Sequence, residues 1–281
     1  MADAVAQAPT RAGASSGADA RDDTILDVAG LELRFGGVRA LAGVDLDVRR
    51  GSITALIGPN GAGKTTLFNA VSGFYRAERG AVLFDGQPLL GRSPHAIARL
   101  GMARTFQLTK TLAAMPVLDN MMLAAPDQPG ERLANVLLRP RRWRAREDQV
   151  RARALGLLET FDLRALAHDY AGTLSGGQRK LLELARVLML EPRLILLDEP
   201  MAGINPTLAR RLLEHIHALR ESEGVSFFFI EHDMEVVMGQ SDRVIVMSQG
   251  RVIADGRPDE VSRDARVIDA YLGSTEDAAW Q

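Results

Sequence analysis

"SITALIGPNGAGKTTLFNAVSG", residues 52–73, joins a continuous apolar run from Ile53 to Ile57, a glycine-rich turn, and a stretch of helical character that ends near Gly73. A short apolar run bounded by glycine reads as a strand buried on both faces. The turn satisfies the spacing G-x-x-x-x-G-K-[ST] through Gly58, Gly63, Lys64 and Thr65, in the strand-to-helix setting that gives the motif its meaning. Glycines let successive backbone N–H groups turn inward around phosphate oxygens, and the N-terminus of the following helix adds a favourable dipole. The candidate phosphate-binding set is Gly58, Pro59, Asn60, Gly61, Ala62, Gly63, Lys64, Thr65 and Thr66. Within it Lys64 is suited to the β- and γ-phosphates of a nucleotide and the Thr65 hydroxyl to Mg²⁺.

Such a loop needs an acid at the end of a neighbouring strand to hold the metal. "RLILLDEP", residues 193–200, places Asp198 there, followed at once by Glu199. Successive side chains along a strand point in opposite directions. Because this strand is ending before Pro200, Asp198 can face the metal shell while Glu199 reaches a water beside the γ-phosphate as a general base. "VSFFFIEHD", residues 225–233, is a second fully buried strand, and the segment from about Thr207 to Ser222 between the two has helical spacing. Strand, helix and strand in this order predict a parallel α/β sheet.

Further out, "ILDVAGLELRF" (25–35), "RALAGVDLDVRRG" (39–51) and "AVLFDG" (81–86) are alternating strands separated by glycine turns, the pattern of an antiparallel layer. Residues from about 108 to 190 have helical periodicity and little β-branched clustering, so they form a helical insertion. After Gly250 come a turn, a short strand and a helix opened by Pro258 with Asp259 and Glu260 in its first turn. Residues 1–24 are rich in Ala, Gly and Ser, contain no apolar core for a secretory signal, and read as a disordered tail; 274–281 read as a second tail.

Composition narrows the function classes. The chain has 281 residues, 46% hydrophobic and 25% charged, a formal charge of −2 and a pI near 6.2. That is an ordinary globular composition with no global electrostatic attraction to nucleic acid, so any anion binding is local. With no cysteine there is no disulfide framework and no thiolate metal site. Apolar runs such as "LILL" (194–197) and "VSFFFI" (225–230) are far shorter than the roughly 20 residues that cross a bilayer.

A second glycine-bearing helix start, "LSGGQRK" at 174–180, completes the set of motifs. Together they resemble the ATP-binding subunits of ABC transporters, from about Ile25 to Gly273. "LSGGQ" is that family's signature, and the resemblance implies a P-loop NTPase core of RecA type with an antiparallel β subdomain and an α-helical insertion. It implies ATP and Mg²⁺ as ligands and two chains paired head to tail, so that Ser175, Gly176, Gly177 and Gln178 of one chain cover the γ-phosphate of ATP held by the other. Gln107, in "RTFQ", matches the family glutamine that contacts the metal or the attacking water. His232 matches the switch histidine that touches the γ-phosphate and orients Glu199, and Phe35 stands near the place of the aromatic residue that stacks on adenine. Thus Thr65, Gln107 and Asp198 are the expected metal set, and Lys64, Gln107, Glu199 and His232 the expected catalytic set. "MAGINP" (201–206) matches the D-loop, with Asn205 where many relatives carry Asp.

The long insertion, "IEHDMEVVM" (230–238) and the closing "AYLG" (270–273) look most like the ATPase subunits of branched-chain, or hydrophobic, amino-acid importers. The resemblance implies membrane permease subunits and, indirectly, a solute-binding protein as partners, with the chain on the cytoplasmic face of the membrane. ATPases for urea, lipid or lipopolysaccharide share parts of these motifs. Soluble non-transport members differ in carrying two cassettes or a long coiled coil, neither of which is present. His215 and His217 lie two apart on a helix and share no face for a metal. "RPRRWRARE" (139–147) sets five arginines beside Trp143, a pattern of a solvated basic face or of contact with lipid headgroups.

Overall fold

A computed structural model describes residues 23–105, 112–126 and 140–276, apart from the side chains of 140–143 and 272–276. Strands β1 (Thr24–Phe35) and β2 (Val38–Arg49) form a hairpin, and β4 (Arg79–Phe84) and β5 (Gln87–Pro88) complete an antiparallel sheet in the order β2-β1-β4-β5. Between β2 and β4 lie β3 (Ile53–Ile57) and helix α1 (Lys64–Val71), the strand and helix of the opening motif.

The second sheet has six strands. After helix α2 (Pro94–Arg99) come β6 (Met102–Arg104), β7 (Leu194–Asp198), β8 (Ser226–Ile230), β9 (Arg243–Ser248) and β10 (Arg251–Gly256), arranged β10-β9-β3-β8-β7-β6. All pairings are parallel except β9 with β10. The central strands are buried along their whole length, and alternation assigns their side chains to two cores. On one face Leu56, Leu196, Phe228 and Ile245 pack with Phe68 and Leu67 of α1 and with the antiparallel sheet. On the other, Ala55, Ile195, Phe227 and Val244 meet the helical layer. α1 is thus sandwiched between two sheets, which explains why its short run of eight residues stays helical.

The helical layer contains α3 (Val117–Leu123), α4 (Pro140–Thr160) and α5 (Gly176–Leu188), followed beyond β7 by α6 (Pro206–Glu223). Met121, Ala154, Leu158, Leu182 and Ala185 interlock there with β7 and β8. A short α7 (Met234–Gln240) precedes β9, and α8 (Pro258–Val261) and α9 (Ala265–Glu276) close the chain. Two boundaries differ from the sequence reading. Thr24 belongs to β1, and α9 carries through Ser274–Glu276 because Gly273 lies within the helix and does not end it. Arg243 fastens the sheets together: its guanidinium donates to Asp47 of β2 at 2.8 Å and to Asp255 of β10 at 2.6 Å. These hydrogen bonds hold its pKa above the ordinary arginine value.

Candidate active site

The glycine loop leaves the carboxyl end of β3 with Gly58, Gly61 and Gly63 at φ values of 147°, 78° and 100°. Two of these glycines are also demanded by crowding. A Cβ at Gly58 would lie 2.0 Å from the Met247 carbonyl oxygen, and one at Gly63 would lie 2.6 Å from that of Ala40; Gly61 faces open space. Ala62 is buried, Pro59, Gly63 and Thr66 are half-buried, and Asn60 and Thr65 are exposed. Lys64 is only 6% exposed and folds over the loop, its Nζ donating to the carbonyls of Gly58 at 2.7 Å and Pro59 at 3.0 Å. Burial lowers its pKa, and the nearby charges of Glu199 and Asp198 oppose that shift. The ammonium therefore sits in the field of both acids.

Asp198 ends β7 with its carboxylate buried, and Oδ2 accepts a hydrogen bond from Arg104 Nη2 at 2.8 Å. Arg104 ends the adjacent β6. Its Nη1 donates to Asn69 Oδ1 of α1 at 2.7 Å and to Ser72 Oγ at 3.2 Å, and its guanidinium lies 5.7 Å from the centre of the Phe68 ring. Arg104 thus ties the acid to the helix that follows the glycine loop. Sequence reasoning passed over it, although an arginine closing the apolar strand "MAR" signals a buried charge in need of a partner.

Beyond Asp198 the chain turns sharply, because Glu199 adopts φ 50°. Such a backbone costs a non-glycine residue about 1–3 kcal/mol and persists where surrounding contacts impose it. One contact is the Glu199 N–H, which donates to the Ile230 carbonyl at 3.0 Å. The two acids have different partners, and His232, just past β8, places its Nε2 2.9 Å from Glu199 Oε1. Glu231, also overlooked in the sequence, is buried next to His232. It accepts the Met201 N–H at 2.8 Å and the His232 N–H at 3.2 Å, while burial pushes its pKa up.

At the other helix start, Ser175 and Gln178 form a capping box: Ser175 Oγ accepts the Gln178 N–H at 3.2 Å, and Gln178 Oε1 accepts the Ser175 N–H at 2.9 Å. The two glycines differ. Gly176 is exposed with nothing near its missing Cβ, whereas Gly177 is buried and a Cβ there would fall 1.6 Å from Leu208 Cδ2 of α6. Phe35 is 48% exposed at the hairpin tip and meets Tyr75 edge-on, with centroids 5.2 Å apart. Gln107 lies outside the described residues, as does Arg139.

Asn205 caps its own helix, its side chain accepting the Leu208 N–H at 2.9 Å with Pro206 behind it. His215 packs on Phe161 and His217 bonds Gln240, so the two diverge as their spacing implied. Arg144 is exposed near the start of α4. Among the described residues no group of three or more His, Cys, Asp or Glu could hold a metal. The Thr65 hydroxyl and the Asp198 carboxylate are nevertheless oxygen donors suited to a hard divalent cation that keeps other ligands from water and phosphate.

A family model described as "ABC transporter" matches residues 41–202, more than half of the chain. The chain belongs to the ABC transporter ATPase family. A second model, "Branched-chain amino acid ATP-binding cassette transporter", matches residues 251–277 of this ABC ATPase. It is 42% identical over 252 residues to the probable branched-chain amino acid transport ATP-binding protein LivG of Archaeoglobus fulgidus, covering 90% of this chain and 96% of that one. It is 40% identical to the high-affinity LivG protein of Escherichia coli K12, covering 89% and 98%. A crystal structure of the ADP conformation of an ATP-binding cassette of an ABC transporter superposes with a TM-score of 0.77 at 37% identity, covering 89% of this chain and 99% of that one. Among the described residues, no helix of this ABC ATPase is long and apolar enough to cross a membrane.

Proposed function

We propose that this ABC ATPase binds and hydrolyses ATP to drive an importer of branched-chain or other hydrophobic amino acids. The observation that carries the reading is the convergence of Lys64, Asp198, Glu199 and His232 at the carboxyl ends of β3, β7 and β8. Ligands of α/β sheets bind at that edge.

The loop N–H groups and Lys64 would take the β- and γ-phosphates of ATP, Lys64 exchanging its two loop carbonyls for phosphate oxygens. Held by Thr65 and Asp198 together with the phosphates, Mg²⁺ would neutralise phosphate charge. Asp198 keeps its geometry through Arg104. Glu199 polarises the attacking water and takes its proton, and His232, already within hydrogen-bond distance, fixes the direction of that carboxylate. Phe35 offers its exposed ring to adenine. Ser175, Gly176, Gly177 and Gln178 serve a second ATP held by a partner chain, since Gly176 leaves the start of α5 open to solvent.

The amino-acid cargo rests on the LivG relatives and on the C-terminal match. Permease subunits, a solute-binding protein and a position on the cytoplasmic face of the membrane follow from the same reading. In the test, Glu199→Gln loses about 100-fold or more in ATP turnover, keeps ATP affinity in calorimetry, and accumulates an ATP-dependent dimer. Turnover at the wild-type rate removes Glu199 as the base.

A further inference from the structure

Glu199 begins a turn whose strained backbone must be imposed from outside, and Met201, packed against the core, holds only one side of it. A cavity of about 30 Å³ lies beside the turn, lined by Lys180, Asp198, Glu199, Pro200 and Leu212. The polar contacts that hold the turn come from two directions. From β8 arrive the Ile230 carbonyl and the Glu231 carboxylate, which take the Glu199 and Met201 N–H groups. From α5 arrives Lys180. Its ammonium donates to the carbonyls of Pro200 at 3.0 Å, Glu199 at 3.4 Å and Ala202, so one side chain gathers three carbonyls of the same turn.

A lysine on a solvated helix face has no reason to accept this arrangement, because it gives up water around a strongly hydrated charge and loses rotamer freedom. Lys180 is half-buried, and desolvation lowers its pKa against the pull of Glu231, Glu183 and Glu199. Lys180 lies five residues after Ser175 on the same helix, which is about 7 Å along its axis. The helix that presents the LSGGQ turn therefore also grips the turn that carries the catalytic base.

We infer that Lys180 is a positioning residue that couples α5 to the catalytic turn, so that displacement of the LSGGQ helix start is read out as a change in the aim of Glu199. The inference rests on the reading of Glu199 as base given above. Glu231 is the fixed anchor on the β8 side, and Lys180 is the anchor that travels with α5.

The test uses the full chain with Lys180→Met and Lys180→Arg, and with Lys180→Gln should the methionine variant fail to fold. Lys180→Met is expected to lower kcat about tenfold or more while leaving ATP affinity in calorimetry unchanged within about twofold. Amide hydrogen exchange at Met201 and Ala202 should become faster. Lys180→Arg, which keeps a donor cluster, should recover most of kcat and the slow exchange. Full turnover by Lys180→Met, or unchanged exchange at Met201 and Ala202, overturns the proposal. Glu199→Gln measured alongside separates the two readings: an active Glu199→Gln overturns the base assignment, whereas an inactive one beside a fully active Lys180→Met overturns the positioning role alone.

Discussion

The glycine loop after β3 and the LSGGQ turn before α5 both begin a helix with glycine, yet they are built differently. In the first, three glycines hold left-handed backbone, and two of them sit against carbonyl oxygens of neighbouring strands. Lys64 lies buried inside the loop and bonds to its carbonyls. In the second, neither glycine has positive φ, the capping box satisfies Ser175 and Gln178 internally, and only Gly177 is crowded, by a leucine side chain. The first is a cradle closed by its own chain. The second is an open surface fastened from behind. On the function proposed above, the closed cradle holds a phosphate within one chain, and the open helix start covers one that a partner chain presents.

The contrast is most easily broken at Gly58. Alanine there combines the cost of positive φ with a collision against a backbone oxygen that only movement of β9 relieves. Gly58→Ala should lose about 3–5 kcal/mol of stability and with it nucleotide binding, as denaturant unfolding and calorimetry would show. A stable Gly58→Ala that binds ATP normally would mean that the cradle is more yielding than its geometry implies.

Gly176 and Gly177 provide an internal control within the second turn. Gly177→Ala overpacks against Leu208, a half-buried side chain able to shift, and should cost about 1–3 kcal/mol. Gly176→Ala should leave stability within about 0.5 kcal/mol of the wild type, because its Cβ enters open space at a surface position. Both variants should bind ATP through their own glycine loop. Equal losses at the two positions would contradict the division of one glycine facing the helix behind and one facing outward.

Ser175→Ala should affect the isolated chain less than Gly58→Ala and more than Gly176→Ala. It removes an N-cap and should cost about 1 kcal/mol, visible as a lower unfolding midpoint with ATP affinity unchanged. An effect on ATP affinity in the monomer would place Ser175 in the chain's own nucleotide site and erase the distinction between the two turns.

The parallel sheet, the antiparallel layer and the helical insertion could be read from sequence because each is signalled by local periodicity. The spacing of Gly58, Gly63, Lys64 and Thr65 and the adjacent acids after "LILL" are likewise contained in runs of a few residues. Arg104 and Glu231 were missed for the opposite reason. Each looks like an ordinary charge beside an apolar strand until the fold supplies its partner. Asn205 falls between these cases: its capping role was legible in the Asn-Pro pair at a helix start, but the sequence reading went no further than its match to the D-loop.

By itself, then, the sequence determined that this chain has a glycine loop between a buried strand and a helix, an acid pair ending a second strand, and a second glycine-bearing helix start. Those features depend on residues close together in the chain, where backbone preference and hydrophobic period act. The tertiary structure alone decided that Arg104 grips Asp198, that Glu231 holds Met201, that Leu208 makes Gly177 necessary, and that Lys180 gathers the carbonyls around Glu199. These pairs lie on separate elements, and the crossovers of a sheet ordered β10-β9-β3-β8-β7-β6 bring them into contact. No local propensity encodes the order in which strands lie side by side, and that order selects which buried charge meets which.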